Sequence, residues 1–577
     1  MIPEKKNLWI GIIASVVIVL GFYHSLLFNV SNPLGLLHGD TYLVNFIFKH
    51  YFYVFQTGRW DELTTLPMFY GFENSLFYSD HHLIHAVLAY PWFLITGSVI
   101  TTTNSYVLFT LVTSAVAMYL FLLHLTKNIV GSVIGAIIFV CNPFVTARFP
   151  DHLILLSLQW IPLIFLFFER LLQKQRATDG FFFFFFLLCQ LLSSLYYSAF
   201  LSLLLPIYAL IRIRQMRVHL LWIVNRGVLL GGVFFIITVV LSSYFYLQVF
   251  AKESINRSLD AAVATYAARV SDYFFTAPNN VLYGGIKESA SQMFPTAVRM
   301  GIWSEHNLFW GVTVFVLFVL SFFVLRKTDK RGYWLLCVSL IAFCALLSFG
   351  PKIVITDTIT LPGIYPLFYY LDPLLQFIRT TARFGVFIFF FLSIIATMTF
   401  SELWGRKSAG RQFLIGSVII LLILVEYQIK PLDSYQKNEK DVKLYSVLNK
   451  RTDLKVLVDL PIGNLIPYTY PQARSEELDS HYLFYAVIYH NKKLLNGYTG
   501  FLPKEYYRRG HLLSVNFPTV SKLKQLREWG ADAVILHREE FNNPGDYDVM
   551  RRSLLDKNVP LLDETEGIAL FDLTRWE

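Results

Sequence analysis

The sequence predicts a polytopic α-helical membrane protein, with about eleven transmembrane helices in residues 1–430 and a small α/β domain in residues 431–577. Hydrophobic residues make up 55% of the chain and charged residues only 15%, a balance that soluble domains rarely show. Apolar runs of roughly 18 or more residues, long enough to cross a bilayer as helices, recur as far as residue 430. Beyond that point, short strand-like and helix-like patterns alternate.

Eleven apolar runs are predicted to cross the membrane. They cover approximately residues 8–30, 103–124, 128–147, 152–171, 180–194, 195–211, 220–248, 306–325, 332–349, 383–402 and 412–430. The pair 180–211 spans 32 residues. At 1.5 Å per residue, a single helix of that length would be about 48 Å long, which exceeds one crossing. We therefore expect two short spans there, an assignment that charge parity also favours.

The charges of the loops predict the orientation of these spans. Three basic loops, at 212–217, 326–331 and 405–411, are expected to be cytoplasmic, as is the lysine-bearing N-terminus. Parity between them requires the run 81–100 to lie flat on the outer interface, which its histidines, Pro91 and Trp92 suit. We predict a plasma-membrane or inner-membrane protein whose external face carries the loops 31–102 and 251–305 and the C-terminal domain.

The net charge of +9 does not indicate a nucleic-acid partner. Residues 431–577 contain 20 Lys and Arg against 21 Asp and Glu, so the basic excess, 29 against 19, belongs to residues 1–430. Basic loops beside membrane spans are a topology signal and do not resemble a stripe that follows a phosphate backbone. The four cysteines all fall within apolar runs and show neither metal-ligand spacing nor a disulfide framework.

The C-terminal segment predicts a small α/β domain. KVLVDLP at 455–461, DAVILH at 532–537 and GIALFDL at 567–573 are typical of strands, and SKLKQLREWG at 521–530 is typical of a helix that ends at a glycine.

His38 and Asp40 follow the first predicted span within the sequence LLHGDTYLVNF. A carboxylate held near the lipid headgroups can act as a general base toward an acceptor hydroxyl. Together with the neighbouring imidazole, it can also bind a divalent cation such as Mg²⁺ or Mn²⁺. The alternative is structural, because Asp40 and Thr41 are good caps for the helix that follows.

Arg148, Asp151 and His152 crowd a turn of a few residues between two predicted spans. Such a short turn does not need these charges for solubility, so all three are candidate site residues: Asp151 as a catalytic residue, and Arg148 and His152 for substrate binding. Here too a structural alternative exists, since Asp151 is a suitable cap for the span that begins at His152.

Charged residues also stand at two later entries into the membrane. Glu305 and His306 lie at the mouth of a predicted span, where such residues can bind substrate or can serve as anchors. Arg379 and Arg383 are four residues apart, and hence on one face of a helix, on the predicted outer side. Positive residues there run against the usual bias, and guanidinium groups are well suited to phosphate.

The order of these motifs resembles the GT-C superfamily of integral-membrane glycosyltransferases. The resemblance lies in the first external loop with H-x-D, the second turn with acidic and histidine residues, and the long loop after the seventh span. Several strings look like a bacterial and archaeal branch of it: NPFVTARFPDHLILLSLQWIPL, SSLYYSAF, SDYFFTAP, FIRTTARFG, LLNGYTGFLPKEYY and LREWGADAVILH.

The resemblance implies that a sugar moves, with inversion, from a polyprenyl-phosphate-linked donor to a glycan, protein or lipid acceptor at the external membrane face. Asp40 matches the first-loop acidic residue taken as base or metal ligand, and His38 stands where relatives often have an acid, which leaves metal dependence open. Asp151 and His152 match the second-loop position, and Arg379 and Arg383 would hold the donor phosphate.

Two other classes of function remain open for a chain of this kind. A transporter or lipid flippase would be expected to show charges near the membrane midplane and an internal repeat, neither of which is clear here. A non-catalytic cell-envelope assembly protein is the other class. The transferase interpretation requires the acid, imidazole and guanidinium groups to meet in one outward-facing pocket at the bilayer boundary.

Overall fold

A computed structural model of the chain describes residues 5–33, 39–150, 152–217, 225–253, 258–298, 304–431, 439–463, 478–565 and 567–577. The contacts divide the chain into two compact units. The first, here called the helical unit, combines Met1–Phe28, Tyr106–Leu241 and Asn256–Leu432. The second, the mixed unit, combines Asn29–Ser105, Ser242–Ile255 and Asp433–Glu577. The boundary at residue 430 stays a prediction, and the unit that contains the tail also contains the first loop.

Helices dominate the part of the chain that the structure describes. They are α1 Lys5–Phe22, α2 His24–Phe28, α3 Asp40–Thr57, α4 Leu83–Thr96, α5 Val99–Thr126, α6 Ile129–Cys141, α7 Pro143–Thr146, α8 Leu153–Leu156, α9 Trp160–Lys174, α10 Ala177–Ser193, α11 Leu195–Met216, α12 Arg226–Glu253, α13 Gly284–Met293, α14 Val312–Val324, α15 Arg331–Ser348, α16 Tyr365–Leu371, α17 Gly385–Trp404, α18 Ala409–Tyr427, α19 Glu439–Lys450, α20 Leu478–Ile488, α21 Lys504–Ser514, α22 Val520–Glu528 and α23 Pro544–Asp556.

The apolar runs form helices as predicted, and the chain is a multi-pass α-helical membrane protein. Each of the eleven predicted spans contains a helix. Among the described residues, eight helices are long and apolar enough to cross a membrane, and three shorter apolar helices include Leu83–Thr96 within the predicted interfacial run. The pair 180–211 is two helices that meet at Ser194, whose side chain caps α11. The exact number of crossings and the orientation of the termini stay predictions.

The core of the helical unit is α17. Its residues from Gly385 to Phe400 are buried on every side, and it packs against α6, α14 and α15. Gly135 allows α6 to approach closely, because a Cβ atom there would lie 2.2 Å from Thr397 Oγ1 and 2.8 Å from the Ser393 carbonyl. Small residues at such crossings are typical of helix packing in membranes.

A short hairpin belongs to the same unit. Its strands, β1 Lys352–Val354 and β2 Thr360–Pro362, pair antiparallel in the loop between α15 and α16.

The tail of the mixed unit forms the predicted α/β domain. Its strands are β3 Val456–Leu460, β4 Lys493–Leu494, β5 Ala533–His537, β6 Leu561–Glu564 and β7 Ile568–Asp572. The sheet has the order β4-β3-β5-β7-β6, in which β3 is parallel to β4 and β5, and β7 is antiparallel to β5 and β6. Strands β3, β5 and β7 are fully buried, as expected for their continuous apolar sequences.

The first loop joins the tail through two parallel helices of the mixed unit. The backbone N–H of Gly39, just before α3, donates to Ser480 Oγ in the first turn of α20 at 2.9 Å. Further along, Lys49 Nζ donates to the carbonyls of Ala486 at 2.5 Å and His490 at 2.9 Å, at the other end of α20. A lysine at a helix C-terminus is favourable because its positive charge interacts with the partial negative charge of the unpaired carbonyls. The two helices therefore begin at the same end.

Candidate active site

Glu305 is the centre of a buried cluster of charges in the helical unit. Arg148 donates from Nη2 to Glu305 Oε2 at 2.6 Å. Arg383 donates from Nε to Glu305 Oε1 at 3.0 Å, and a second, shorter hydrogen bond joins its Nη2 to the same oxygen. The Arg148 side chain is fully buried, and those of Glu305 and Arg383 are nearly so. Three of the residues predicted from the sequence, which together span more than 200 positions of the chain, thus form one ion-paired group.

Local aromatic residues hold the two arginines in place. The Arg148 guanidinium lies 3.6 Å from the Phe144 ring centroid, and its Nη1 donates to the Phe144 carbonyl at 2.8 Å, across the turn that follows α7. The Arg383 guanidinium lies 4.4 Å from the ring centroid of Tyr196 in α11. Arginine stacks well on aromatic faces, and stacking limits the directions in which its N–H groups can point.

Two opposite effects set the ionisation of Glu305. Burial alone would raise the pKa of its carboxyl group, but the guanidinium groups of Arg383 and Arg148 hold that pKa well below its ordinary value, with a smaller contribution from His152. Glu305 is therefore a carboxylate that offsets two buried cations. Breaking such a group by removing one partner is costly, because it leaves an unpaired charge inside the protein.

Arg379 differs from the other two arginines in its partners. Its guanidinium lies 4.3 Å from the Tyr266 ring centroid, and its Nε is buried without a hydrogen-bond acceptor among the described residues. Its backbone N–H donates to Tyr196 Oη at 3.4 Å, so Arg379 and Arg383 contact the same tyrosine. The Nε of Arg148 also lacks an acceptor among the described residues, but Arg148 is fully buried and paired with Glu305. Arg379 is half-buried and has no carboxylate partner in the described part of the chain, so its N–H groups are the ones suited to an external anion.

The spacing of Arg379 and Arg383 predicted that both lie on one face of a helix. In the structure they do not. Arg379 lies in irregular backbone, and Thr380 is extended, with φ −111° and ψ 91°. Arg383 lies in the 3-10 turn Thr381–Phe384, which leads into α17. This extended residue breaks the i, i+4 relationship, and the shared Tyr196 brings the two arginines together instead.

A second group of charges fixes the segment that carries Glu305. It consists of His306, which was predicted from the sequence, and of Asp272 and Lys287, which were not. His306 Nδ1 lies 3.7 Å from Asp272 Oδ2, and Lys287 Nζ donates to the His306 carbonyl at 3.3 Å. The Asp272 carbonyl accepts from the N–H of Leu308 at 3.1 Å. Burial raises the pKa of Asp272, although His306 and Lys287 oppose the shift. Asp272 belongs to the motif SDYFFTAP, and its place in that motif is the sequence signal that could have identified it.

Asp40 lies in the first turn of α3, in the mixed unit. Gly39 takes the N-cap position, with φ 87°, and no side chain caps the helix by a hydrogen bond, so Asp40 does not serve as the predicted cap. Its side chain is half-buried. An acidic residue in a first turn is favourable because it faces the positive end of the helix dipole.

The remaining predicted residues are only partly covered. His38 and Asp151 lie outside the described residues. His152 is half-buried directly before α8 and close enough to Glu305 to favour its ionised form. Among the residues that the structure describes, no three His, Cys, Asp or Glu side chains are grouped so as to hold a metal ion. The divalent cation at His38 and Asp40 therefore stays a prediction.

Comparison with solved structures defines the class of this fold. The arabinofuranosyltransferase AftD from mycobacteria aligns with a TM-score of 0.58 at 11% identity, over 99% of this chain and 40% of AftD. ArnT from Cupriavidus metallidurans, bound to undecaprenyl phosphate, aligns with a TM-score of 0.50 at 12% identity, over 99% of this chain and 98% of ArnT. This chain spans less than half the length of AftD. The fold is that of the GT-C integral-membrane glycosyltransferases, as the motifs predicted.

A comparison with family models gives a more specific assignment than the fold does. The chain belongs to the family described as Domain of unknown function (DUF6311), whose model matches residues 12–429. A comparison with curated proteins finds no match.

Proposed function

We propose that the chain is an inverting glycosyltransferase that moves a sugar from a polyprenyl-phosphate-linked donor to an acceptor hydroxyl at the external membrane face. The acceptor oxygen attacks the anomeric carbon, and the bond between that carbon and the phosphate oxygen breaks. The electron pair of that bond leaves with the polyprenyl phosphate, and the acceptor proton passes to a carboxylate. The reaction is balanced without an oxidant, a reductant or a further co-reactant.

The observation that carries this proposal is the state of Arg379. Glu305 already pairs with both Arg148 and Arg383, and its single negative charge offsets one of their two positive charges. Arg379 has no such carboxylate among the described residues, and Tyr266 supports its guanidinium plane. A stacked guanidinium with an available N–H is suited to a phosphate group, whose oxygens accept charge-assisted hydrogen bonds. We assign Arg379 to the donor phosphate, and Arg383, which contacts the same Tyr196, belongs to a group that keeps a net positive charge.

The fold supports the same class of donor. ArnT, which shares the fold, was solved with undecaprenyl phosphate bound. A polyprenyl phosphate keeps its tail in lipid and its sugar at the interface, so its enzyme needs a membrane domain with polar groups at the ends of its helices. Arg148, Glu305 and Arg379 all lie in segments of the chain that connect helices long enough to span the membrane.

Asp40 is the general base in this proposal. It is half-buried in the first turn of α3, where Gly39 takes the N-cap position. Because phosphate is a good leaving group, the protein has to supply acceptor deprotonation and charge stabilisation more than leaving-group protonation. Asp151, the second catalytic residue of the sequence analysis, and the substrate-binding roles of His38, Arg148, His152 and His306 stay predictions.

One experiment separates the three classes of function. The purified chain in lipid nanodiscs is incubated with a panel of radiolabelled polyprenyl-phosphate sugars and methyl glycoside acceptors, and glycoside products are resolved from free sugar. A transferase forms labelled glycoside. A flippase moves labelled lipid across the bilayer of proteoliposomes without forming product, and an assembly protein does neither. The absence of transfer with every donor and acceptor tested would contradict the proposal.

The divalent cation is tested in the same assay. Activity is measured after treatment with EDTA and again after addition of Mg²⁺ or Mn²⁺. Loss of transfer that either ion restores would support a cation at His38 and Asp40, where a carboxylate and an imidazole are suitable ligands for Mn²⁺ and the carboxylate also for Mg²⁺.

A further inference from the structure

The sheet of the mixed unit carries a polar cluster at the carboxyl ends of its parallel strands. His537, the last residue of β5, donates from Nε2 to Asp459 Oδ1 in β3 at 2.8 Å. The other oxygen of Asp459 is buried without a hydrogen-bond partner among the described residues. Asn496, just beyond β4, forms two hydrogen bonds with the backbone of Asp459. Its Oδ1 accepts from the Asp459 N–H, and its Nδ2 donates to the Asp459 carbonyl. In open α/β sheets, ligands usually bind at this edge.

The first turn of α20 adds a second layer to the cluster. Asp479 accepts hydrogen bonds from Asn496 Nδ2 at 3.2 Å and from Tyr506 Oη at 3.0 Å. His481 Nδ1 lies 3.1 Å from Glu540 Oε1, and the His481 Nε2 is buried with no hydrogen-bond partner in the described part of the chain. The His481 and Glu540 side chains are 21% and 14% exposed, so they form the outer part of the cluster.

The helix that begins with Asp40 reaches the same place. Gly39 binds Ser480, the Tyr42 and His481 ring centroids are 6.1 Å apart, and Tyr42 stacks on Phe484 at 4.2 Å. Asp40 is therefore flanked in sequence by residues that contact the first turn of α20. The start of α3 and the carboxyl edge of the sheet form one continuous polar region of the mixed unit.

The chemistry of this region selects one class of ligand. Its charged side chains include four carboxylates, those of Asp40, Asp459, Asp479 and Glu540. Carboxylates repel phosphate but accept hydrogen bonds from hydroxyl groups. Because the carboxylate of Glu540 accepts a hydrogen bond from Nδ1 of His481, a neutral imidazole carries its proton on Nδ1 and offers Nε2 as a hydrogen-bond acceptor. A buried imidazole nitrogen is costly to leave without a partner, and a ligand hydroxyl would supply one.

We propose that this edge of the mixed unit binds the acceptor as a polyhydroxylated, uncharged carbohydrate, with a hydroxyl group hydrogen-bonded to His481 Nε2. This inference rests on the proposed function, because it assigns the acceptor of that reaction. Glu540 is the positioning residue of His481, and the buried pair of Asp459 and His537 supports the edge from below. The tail is thus the acceptor-binding part of the enzyme, beside the base.

Binding is measured without any donor, so that the result does not depend on sugar transfer. Saturation-transfer difference NMR is recorded on the full chain in lipid nanodiscs, with methyl glycosides of the common hexoses and pentoses as probes. We expect at least one glycoside to give a signal that falls by ~5-fold or more in His481→Ala, as loss of one hydrogen bond requires. Glu540→Gln should reduce the signal in the same direction, because the tautomer of His481 is no longer fixed.

His511→Ala is the matched control, since His511 is an exposed histidine of the same unit, in α21. If His481→Ala does not fold, His481→Gln, whose amide oxygen can accept a hydrogen bond, should fold and retain more signal than Glu540→Gln. A panel without any signal in the wild type, or equal signals in the His481 and His511 variants, would overturn the inference. Glycoside binding without transfer would overturn the proposed function alone.

Discussion

Arg383 donates from Nε to the Glu305 carboxylate at 3.0 Å, and both side chains are almost fully buried in the helical unit. Arg148 reaches the same carboxylate from another turn. One acid therefore orders two cations, whereas Arg379 has no carboxylate partner among the described residues. This distribution of partners leads to separate expectations for stability and for donor binding.

Glu305→Gln should destabilise the protein by about 3–5 kcal/mol, because it leaves two buried guanidinium groups without their carboxylate. The change is measured by thermal unfolding in detergent, followed by tryptophan fluorescence. Glu402→Gln is the control, since its ion pair with Lys330 is partly exposed and should be worth only about 0–1 kcal/mol. Equal melting temperatures for the two variants would show that the Glu305 cluster does not hold the helical unit together.

Arg379→Ala should weaken donor binding with little effect on folding. Loss of a charge-assisted hydrogen bond of about 1.5–3 kcal/mol corresponds to a rise in the donor KM of roughly 10- to 150-fold. Arg379→Lys should recover only part of this loss, because lysine keeps the charge but cannot stack its planar fork on Tyr266. Arg411→Ala, at an exposed arginine in the first turn of α18, serves as the control. An unchanged donor KM in Arg379→Ala would remove the phosphate assignment.

Asp479→Asn should change how stability depends on pH. Burial raises the pKa of Asp479 from 3.8 to about 6, although hydrogen bonds from Asn496 and Tyr506 oppose the shift. The folded state thus holds this proton more tightly than the unfolded state, so the contribution of Asp479 to stability is fully present below pH 3.8 and is lost as the pH rises through 6. A shift of about two units corresponds to about 3 kcal/mol.

The asparagine side chain imitates the protonated acid, so the variant should gain stability over the wild type between about pH 4 and pH 7. Melting temperatures across that range give the measurement. The control is Asp453→Asn: Arg451 holds the pKa of this exposed carboxyl group at about 2, so its difference from the wild type should stay constant above pH 5. A constant difference for Asp479→Asn as well would contradict the raised pKa.

The helices and the main strands could be predicted from the sequence because they depend on local patterns. Length and apolarity are sufficient for membrane helices, and each predicted span contains one. The run DAVILH became β5 and GIALFDL became β7, since short apolar segments bounded by turn residues suit a buried sheet.

What could not be predicted depends on contacts between distant segments. The pairing of α3 with α20 brings residues more than 400 positions apart together through Gly39, Ser480 and Lys49, and no local pattern marks it. For the same reason, neither Asp272 nor His481 was predicted as a site residue. The charged partner of each lies on another element, so its neighbours in the sequence do not reveal the pairing.

The measurement that tests the central claim most directly is sugar transfer by Asp40→Asn, with Asp61→Asn from the same loop as the control. Loss of the general base should reduce the rate of transfer by roughly 10²- to 10⁴-fold at an unchanged melting temperature. The control should transfer sugar at the wild-type rate. If Asp40→Asn kept the wild-type rate, Asp40 would not be the base, and that role would pass to Asp151 or Glu305.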